Sequence, residues 1–320
     1  MTSNNLPHIK PLITNYKFKP YYYYNINNRK LSEYFFSLIK KENIIFTLEE
    51  EEKGLGAASV VNLPWDSEIF EIKMAKIGFI LTKENYSHST DIIHKLIGNI
   101  LIYCREKGIK HISFQVNSQE ISLIHALEKN GFTLMDTIII YSISLKNIDF
   151  ENFKLNLEYF IREAKKKDLP AMQELAGKAF FTPNMFLSRF YVDPLLRKRA
   201  SILYKEWLKN SFNGEQADIV LVAEIKNKPV GFITCQLPKR ESIEIFNRKI
   251  ATIPLNAVSS KFRGRGVYNC IMEHALKWFK EQEVDIVEIK TQIINLPVQR
   301  VWHKYEGKVV SSYHTFHKEL

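Results

Sequence analysis

Lys261-Phe262-Arg263-Gly264-Arg265-Gly266-Val267-Tyr268 follows directly on Ala257-Val258-Ser259-Ser260 and leads into an amphipathic stretch of helical period. Two glycines let a backbone come close to a ligand, and the first N–H groups of a helix point outward with the positive end of its dipole. Together they make an anion site suited to a diphosphate. The two arginines add charge that a purely structural turn does not need. A solvated Arg-Gly-Arg-Gly loop has the same letters, so the order of the surrounding elements decides between the two readings.

Working outward, Asn269 to Gln282 has helical period, Val284 to Thr291 reads as a strand, Leu296 to Tyr305 as a helix, and Lys308 to His317 as a strand. A strand from Ala251 to Ser259 stands ahead of the glycines. The same order occurs earlier. Apolar residues at Ile92, Ile93, Leu96, Ile97, Ile100, Leu101 and Cys104 predict a helix over Asp91–Lys107. Next come a strand at Ile112–Val116, a helix from Gln119 to Lys129 stopped by Asn130-Gly131, and a strand from Phe132 to Leu145. A strand at Lys73–Leu81 precedes this set, but the stretch after it, Thr82 to His88, has no glycine. The chain therefore holds one plan twice, and only the second copy has a diphosphate cradle. Residues Lys146–Leu157 read as the linker, giving domains 1–150 and 151–320.

At 320 residues the chain can bury two cores. Its 45% hydrophobic and 25% charged composition is that of a globular protein, and its longest apolar runs, such as Thr137–Ile143, are far too short to span a bilayer. No membrane partner is expected. Met1–Lys10 has no apolar core of the kind that drives export, and Cys104, Cys235 and Cys270 lack pairing or metal-ligand spacing. A cytoplasmic location, three buried thiols and no metal are the expectations. The net charge of +10 is uneven, with 17 basic and 16 acidic side chains in residues 1–150 against 28 and 19 in 151–320. The second half prefers anions, but its lysines alternate with glutamates and form no aromatic-interleaved stripe, so a small phosphorylated ligand is favoured over nucleic acid.

The first half is sparse in chemistry. Tyr21–Tyr24 reads as packing or an edge strand, and Glu49–Glu52 as a solvated hairpin tip. Leu63-Pro64-Trp65-Asp66-Ser67 puts a stacking surface, a carboxylate and a hydroxyl in one turn. Asp66 or Ser67 could cap a helix there, or Trp65 and Asp66 could touch a ligand.

With strand, cradle, helix, strand and Asn295 in order, the C-terminal half resembles the GNAT superfamily of acyl-CoA-dependent N-acyltransferases. Its signature is R/Q-x-x-G-x-G/A at a helix start. Aligned on Arg263, the match runs from Arg263 to Tyr268 and ends on tyrosine where a small residue is expected. Further segments resemble dTDP-fucosamine acetyltransferase and related nucleotide-sugar N-acetyltransferases. These are Leu63–Phe70, Ser188-Arg189-Phe190 with Trp207 and Asn210, and Thr291–Asn295. The usual tyrosine after the asparagine is Trp302 here, and the usual Gly-Phe ending appears as Glu306-Gly307-Lys308.

The resemblance implies an α/β (α+β) protein of tandem GNAT-like folds, with mixed central sheets flanked by helices and a degenerate N-terminal copy that supports an acceptor site. It implies acetyl-CoA as co-substrate, held by Ala257, Val258, Arg263, Gly264, Arg265, Gly266, Val267, Tyr268, Asn295 and Trp302. The Val258 N–H would face the developing oxyanion. Asn295 could cap the last helix, touch the pantetheine arm, or both. Tyr305, one turn after Trp302, is the candidate acid; the general base is left open, possible contributors Glu288 and Lys290 reading as solvent-facing. A nucleotide-activated amino-deoxy sugar is the expected acceptor, with another small amine, a peptide or an inactive acyl-CoA-binding protein as alternatives. Arg189, with Phe190, Tyr191 and the run Arg197-Lys198-Arg199, supplies cations and aromatic plates for it. A homodimer is left open.

Overall fold

The computed structural model describes residues 6–41, 44–50, 53–83, 89–151, 153, 158–182 and 186–320. Residues 51–52 of the hairpin tip, 84–88 of the glycine-free stretch, and 152 and 154–157 of the expected linker lie outside these. The chain divides into two compact units, residues 1–137 with 312–320, and residues 138–311.

In the first unit two helices, α1 (Leu6–Asn15) and α2 (Asn28–Ile39), precede a hairpin of β1 (Ile44–Glu50) and β2 (Lys53–Asn62). A short helix α3 (Pro64–Phe70) leads to β3 (Met74–Thr82), α4 (Ser89–Glu106), β4 (His111–Asn117) and α5 (Ile121–Lys129). The seven apolar residues predicted for the stripe of α4 are all buried, against Ala58, Val60, Ile77 and Ile112 of the sheet. The other sheet face, through Ala57, Phe79 and Leu81, is covered by Ile9, Leu12 and Ile13 of α1 and Phe35 and Ile39 of α2. β3 and β4 pair in parallel at only three positions, Met74–Lys76 with His111–Ser113. Beyond these, β3 continues along β2 while β4 pairs with residues 313–319.

The next strand, β5 (Thr133–Ser144), contributes to both units. The second unit then runs β6 (Phe160–Glu163), α6 (Leu169–Ala179), the two-residue strands β7 (Phe181–Thr182) and β8 (Phe186–Leu187), and α7 (Arg189–Val192). It continues with α8 (Ala200–Phe212), a hairpin of β9 (Ile219–Ile225) and β10 (Lys228–Cys235), and α9 (Arg240–Phe246). Then come β11 (Ile250–Ile253), β12 (Asn256–Val258), α10 (Val267–Glu281), β13 (Ile286–Gln292), α11 (Leu296–His303) and β14 (Lys308–Glu319). Val267, Cys270, Ile271, Ala275 and Phe279 form the buried stripe of α10, against Val230, Ile233, Val287 and Ile289.

The repeat is longer than the sequence pattern predicts. Each unit has a pair of longer helices (α1 and α2, α6 and α8), a hairpin, a short helix ending in a left-handed residue (Glu71 φ 59°, Asn247 φ 52°), and a strand, helix, strand, helix order, to which the second adds α7 and the short strands β6 to β8. Other expectations change. β14 was read as the last strand of the second copy, yet its residues 312–319 belong to the first unit, paired with β4. The expected linker carries Phe150 and Phe153, which pack on the core of the second unit, so its described part is not a bare spacer. Neither Asp66 nor Ser67 caps α3: the cap position is Leu63, followed by Pro64 at the helix start, and the Ser67 hydroxyl donates to the Leu63 carbonyl at 2.6 Å. Tyr21–Tyr24 form turns and a packed ring cluster rather than an edge strand.

Candidate functional site

The strand predicted over Ala251–Ser259 is divided at Pro254. Its first part, β11, pairs in parallel with β13 at four positions ending at Ile253 beside Ile289. Its second part, β12, pairs antiparallel with β10 in a different sheet, of which it is the edge. Proline has no N–H to offer a ladder, so a change of partner there forfeits little. The Leu255 N–H is instead taken by the Thr234 hydroxyl at 2.9 Å. β12 and β13 thus part company, and a gap opens between them.

The hydrogen-bond alternation fixes what faces that gap. Leu255 accepts from the Thr234 N–H at 2.8 Å and Ser259 donates to the Val230 carbonyl at 2.9 Å. In an antiparallel ladder every second residue faces the partner, so 255, 257 and 259 turn their backbone groups to β10. Asn256 and Val258 turn theirs to the open edge. The side chains of Ala257 and Val258 are buried.

The cradle lies just beyond. A short 3-10 turn, Ser260–Phe262, brings the chain to Gly264 (φ 75°) and Gly266 (φ 85°), and α10 begins at Val267. A Cβ added at either glycine meets nothing within 4 Å, so no neighbouring side chain fills the concavity and the positive φ is what demands glycine. The first N–H groups of a helix have no intrahelical partner, and at the start of α10 they follow directly on the two glycines, the arrangement that holds a diphosphate. The residues fit such a group.

This geometry corrects the register of the signature. The glycine pair is 264 and 266 and the helix starts one residue later, so R/Q-x-x-G-x-G/A runs from Lys261 to Gly266. Lysine stands in the first place, exposed, and the closing small residue is present. Tyr268 does not replace it; it lies in the first turn of α10, where its hydroxyl accepts from the Trp302 indole N–H at 2.9 Å. Trp302 is a core residue, 1% exposed and edge-on to Tyr141.

Arg263 is turned inward. Its guanidinium donates to the carbonyls of Ala179 at 2.7 Å and Val258 at 3.2 Å, and burial pulls its pKa down. It ties the cradle to the end of α6. Arg265 is exposed and near the Phe262 ring, while its carbonyl accepts from the Tyr159 hydroxyl at 2.7 Å. Asn295 occupies the cap position of α11 but its side chain does not cap; its amide donates to the Thr291 hydroxyl at 2.9 Å.

Tyr305 is 5% exposed, with its hydroxyl directed at Glu273 (3.3 Å) and the Asn269 carbonyl (3.4 Å) of α10. Burial, with the Glu273 carboxylate beside it, pushes the phenol well above its usual range. It holds its proton tightly and faces a helix. Glu288 is buried rather than solvent-facing, whereas Lys290 is exposed as expected. The three thiols are buried, and burial raises all three, Cys104 to about 11. They stay protonated near neutrality, which leaves no thiolate for covalent chemistry.

Arg189 sits over the Phe190 ring, 4.5 Å from its centroid, and is not among the residues lining the cleft beside α6. Trp65 and Asp66 lie on α3 of the first unit. The residues that sequence reasoning missed are Asn256, whose signal is Pro254 two positions earlier, and Lys261, whose signal is its spacing to the two glycines.

Comparison with known proteins agrees with the geometry. Residues 169–307 match the family described as acetyltransferase (GNAT). Over 150 residues the chain is 29% identical to an uncharacterized N-acetyltransferase of Methanocaldococcus jannaschii, covering 47% of this chain and 61% of that one. It is 25% identical over 151 residues to the spore coat polysaccharide biosynthesis protein SpsD of Bacillus subtilis, covering 47% of each. The chain thus spans about half the length of the curated relatives it matches. Among solved structures, a GCN5-related N-acetyltransferase from Sphaerobacter thermophilus superposes with a TM-score of 0.64 at 13% identity, covering 100% of this chain and 94% of that one. A tandem GNAT protein from the clavulanic acid biosynthesis pathway gives 0.58 at 11% identity, covering 99% and 95%. At those identities the fold is what is shared: mixed α/β, in tandem GNAT-like copies.

Proposed function

Taking residues 169–307 as a domain of the acetyltransferase (GNAT) family, we propose that the protein is an acetyl-CoA-dependent N-acetyltransferase whose acceptor is the amine of a nucleotide-activated amino-deoxy sugar, of the dTDP-4-amino-4,6-dideoxyhexose type. The observation that carries the enzyme class is the strand that changes partner at Pro254 and opens beside two positive-φ glycines at the start of α10.

Acetyl-CoA, when bound, supplies an activated acetyl thioester. The backbone N–H groups from Gly264 to the first turn of α10, with Lys261 and Arg265, hold its diphosphate. Asn256 presents its edge N–H and C=O groups, and Val258 its N–H, to an extended arm, as an exposed strand edge does to any extended chain, while the Val258 carbonyl is taken by Arg263. The Val258 N–H, fixed by the ladder to β10, is placed to stabilise negative charge on a carbonyl oxygen, and such fixed donors commonly carry the largest part of acyl-transfer catalysis. Arg263 acts on the loop rather than on the ligand. Tyr305 acts in packing, and solvent protonates the departing thiolate, a tolerable leaving group near neutral pH.

The sugar acceptor is supported by the name of the Bacillus subtilis relative, a polysaccharide biosynthesis protein. Release of free thiol from acetyl-CoA, measured against a panel of amines, tests the proposal. Turnover with dTDP-4-amino sugars and not with polyamines or peptides is expected. Turnover only with the latter moves the acceptor to another amine, and no release above hydrolysis with any amine rejects the enzymatic reading.

A further inference from the structure

The second unit has a cleft of about 1100 Å³ on the α6 side of the cradle. That is slightly above the usual range for small-molecule sites, about 300–1000 Å³. Its walls come from α6, from the segment between α6 and α8, and from the lead-in to the cradle, with Lys178, Phe181, Tyr191, Arg197, Ser260 and Lys261 among them. Except for Lys261, none has a task in the chemistry above.

The composition of this lining is specific. Phe181 is a large aromatic ring that is 52% exposed, 5.3 Å from the ring of Tyr191. Tyr191 is held from behind: its hydroxyl donates to the Gly177 carbonyl at 2.9 Å, and its ring lies at 15° to that of Tyr204 at 6.3 Å. Tyr204 is itself stacked on Phe180 at 3.9 Å and is 6° from parallel to Trp207. An aromatic ladder thus fixes one face in place and leaves its outermost rings on the cleft. Lys178, Arg197 and Lys261 are exposed cations on the same cleft. Glu174, the one acid in the lining, is ion-paired to Lys178 and Lys205. Ser259 and Ser260 add hydroxyls.

A preorganised aromatic plate beside a group of cations matches a ligand with a flat ring at one end and two phosphates at the other. Three cations on one cleft fit a single nucleotide. We propose that this cleft binds the nucleoside diphosphate of the activated acceptor, its base on Phe181 and Tyr191 and its phosphates on Lys178 and Arg197. The inference rests on the acetyltransferase reading in that the cradle is taken as a separate diphosphate site. Two sources have this chemistry: the nucleotide of the activated acceptor, and the nucleotide end of coenzyme A reaching past the cradle.

Calorimetric titration of the full chain with dTDP, and separately with coenzyme A, tests this. The variant is Phe181→Ala with Arg197→Gln, both side chains being exposed and outside the core, so that the fold is kept. At least a tenfold loss of dTDP affinity with coenzyme A unchanged supports the site and gives it to the acceptor. A tenfold loss of coenzyme A affinity gives the cleft to the coenzyme's own nucleotide end and overturns the proposal. A variant that binds both as the parent does, or a parent that binds no dTDP and a variant that binds coenzyme A normally, overturns the proposal. A parent that binds dTDP but not coenzyme A, with dTDP lost in the variant, leaves the cleft standing while the acetyltransferase reading falls.

Discussion

Replacing Gly266 by valine separates the cradle's role in folding from its role in binding. Gly266 has φ 85°, a conformation that costs a side-chain-bearing residue about 1–2 kcal/mol, and a β-branched one at least that. No atom lies within 4 Å of an added Cβ, so no steric term adds to the backbone term. Gly214, just after α8, has φ 81° and the same empty surroundings, but stands outside the cradle. Gly214→Val therefore reproduces the strain without touching the ligand. Both variants should lose about 1–2 kcal/mol of stability, a fall of about 2–4 °C in Tm per kcal/mol for a unit of this size. Only Gly266→Val places methyl groups where a diphosphate approaches α10, so coenzyme A affinity should fall at least about tenfold, near 1.4 kcal/mol, in that variant alone. Thermal unfolding reads the first quantity and calorimetry the second. Equal coenzyme A affinity in the two variants would refute the cradle, whatever their melting temperatures.

Three further outcomes are expected. Tyr268→Phe removes the acceptor of the buried Trp302 indole N–H and should cost about 1–3 kcal/mol in urea unfolding; a change under about 0.5 kcal/mol would mean that the bond contributes nothing. Tyr305→Phe removes only long contacts to Glu273 and Asn269, so kcat should stay within about threefold; a fall of about 10² to 10⁴ would make Tyr305 the acid after all. In the first unit, burial pushes the Glu120 carboxyl up to about 7, against the lowering effect of the Tyr16 hydroxyl and the Asn117 backbone. Because the folded value is raised above the unfolded one, its contribution is whole below about pH 4 and is lost as pH rises through about 7, on the order of 3 kcal/mol. Glu120→Gln should abolish that part of the difference in unfolding free energy between pH 5 and pH 8, and a variant with the parent's full difference sinks the assignment.

Side-chain pattern carried the helices and most strands, because each buries one face and the period shows it: the stripe of α4 and the stripe of α10 are examples. What the pattern could not carry is backbone partnership. Ala251–Ser259 has the same apolar letters whether it pairs with one neighbour throughout or with β13 and then β10, and Pro254 is the lone mark of the change. β14 likewise alternates well enough to suit either copy, so its place beside β4 was invisible. Trp302 has the right chemistry at the right spacing, but its indole is spent on the core and on the Tyr268 hydroxyl. Spacing fixes which elements hold a residue, while packing decides which way it turns.

The two copies differ in a way that fits the proposed ligand site to the second alone. In each, a parallel pair of strands separates after a few residues, β3 from β4 and β11 from β13, so the gap belongs to the shared fold. In the first unit Tyr16 packs on the cluster containing Phe79 and Leu81 of the departing strand, and its hydroxyl donates to Glu120, just past the other strand, at 3.0 Å. The chain's own aromatic side chain spans the opening there. The residues that follow β3 include no glycine, so even an emptied gap would lack a cradle for a diphosphate. In the second unit the strand leads instead into Gly264 and Gly266, whose positive φ no other residue adopts cheaply and whose surroundings are open. On the proposed reading, one loop and one side chain across the opening separate the two copies. Converting the first copy would need both changes together, since removing Tyr16 alone would take one of two hydrogen-bond donors from Glu120 and leave the gap without a cradle.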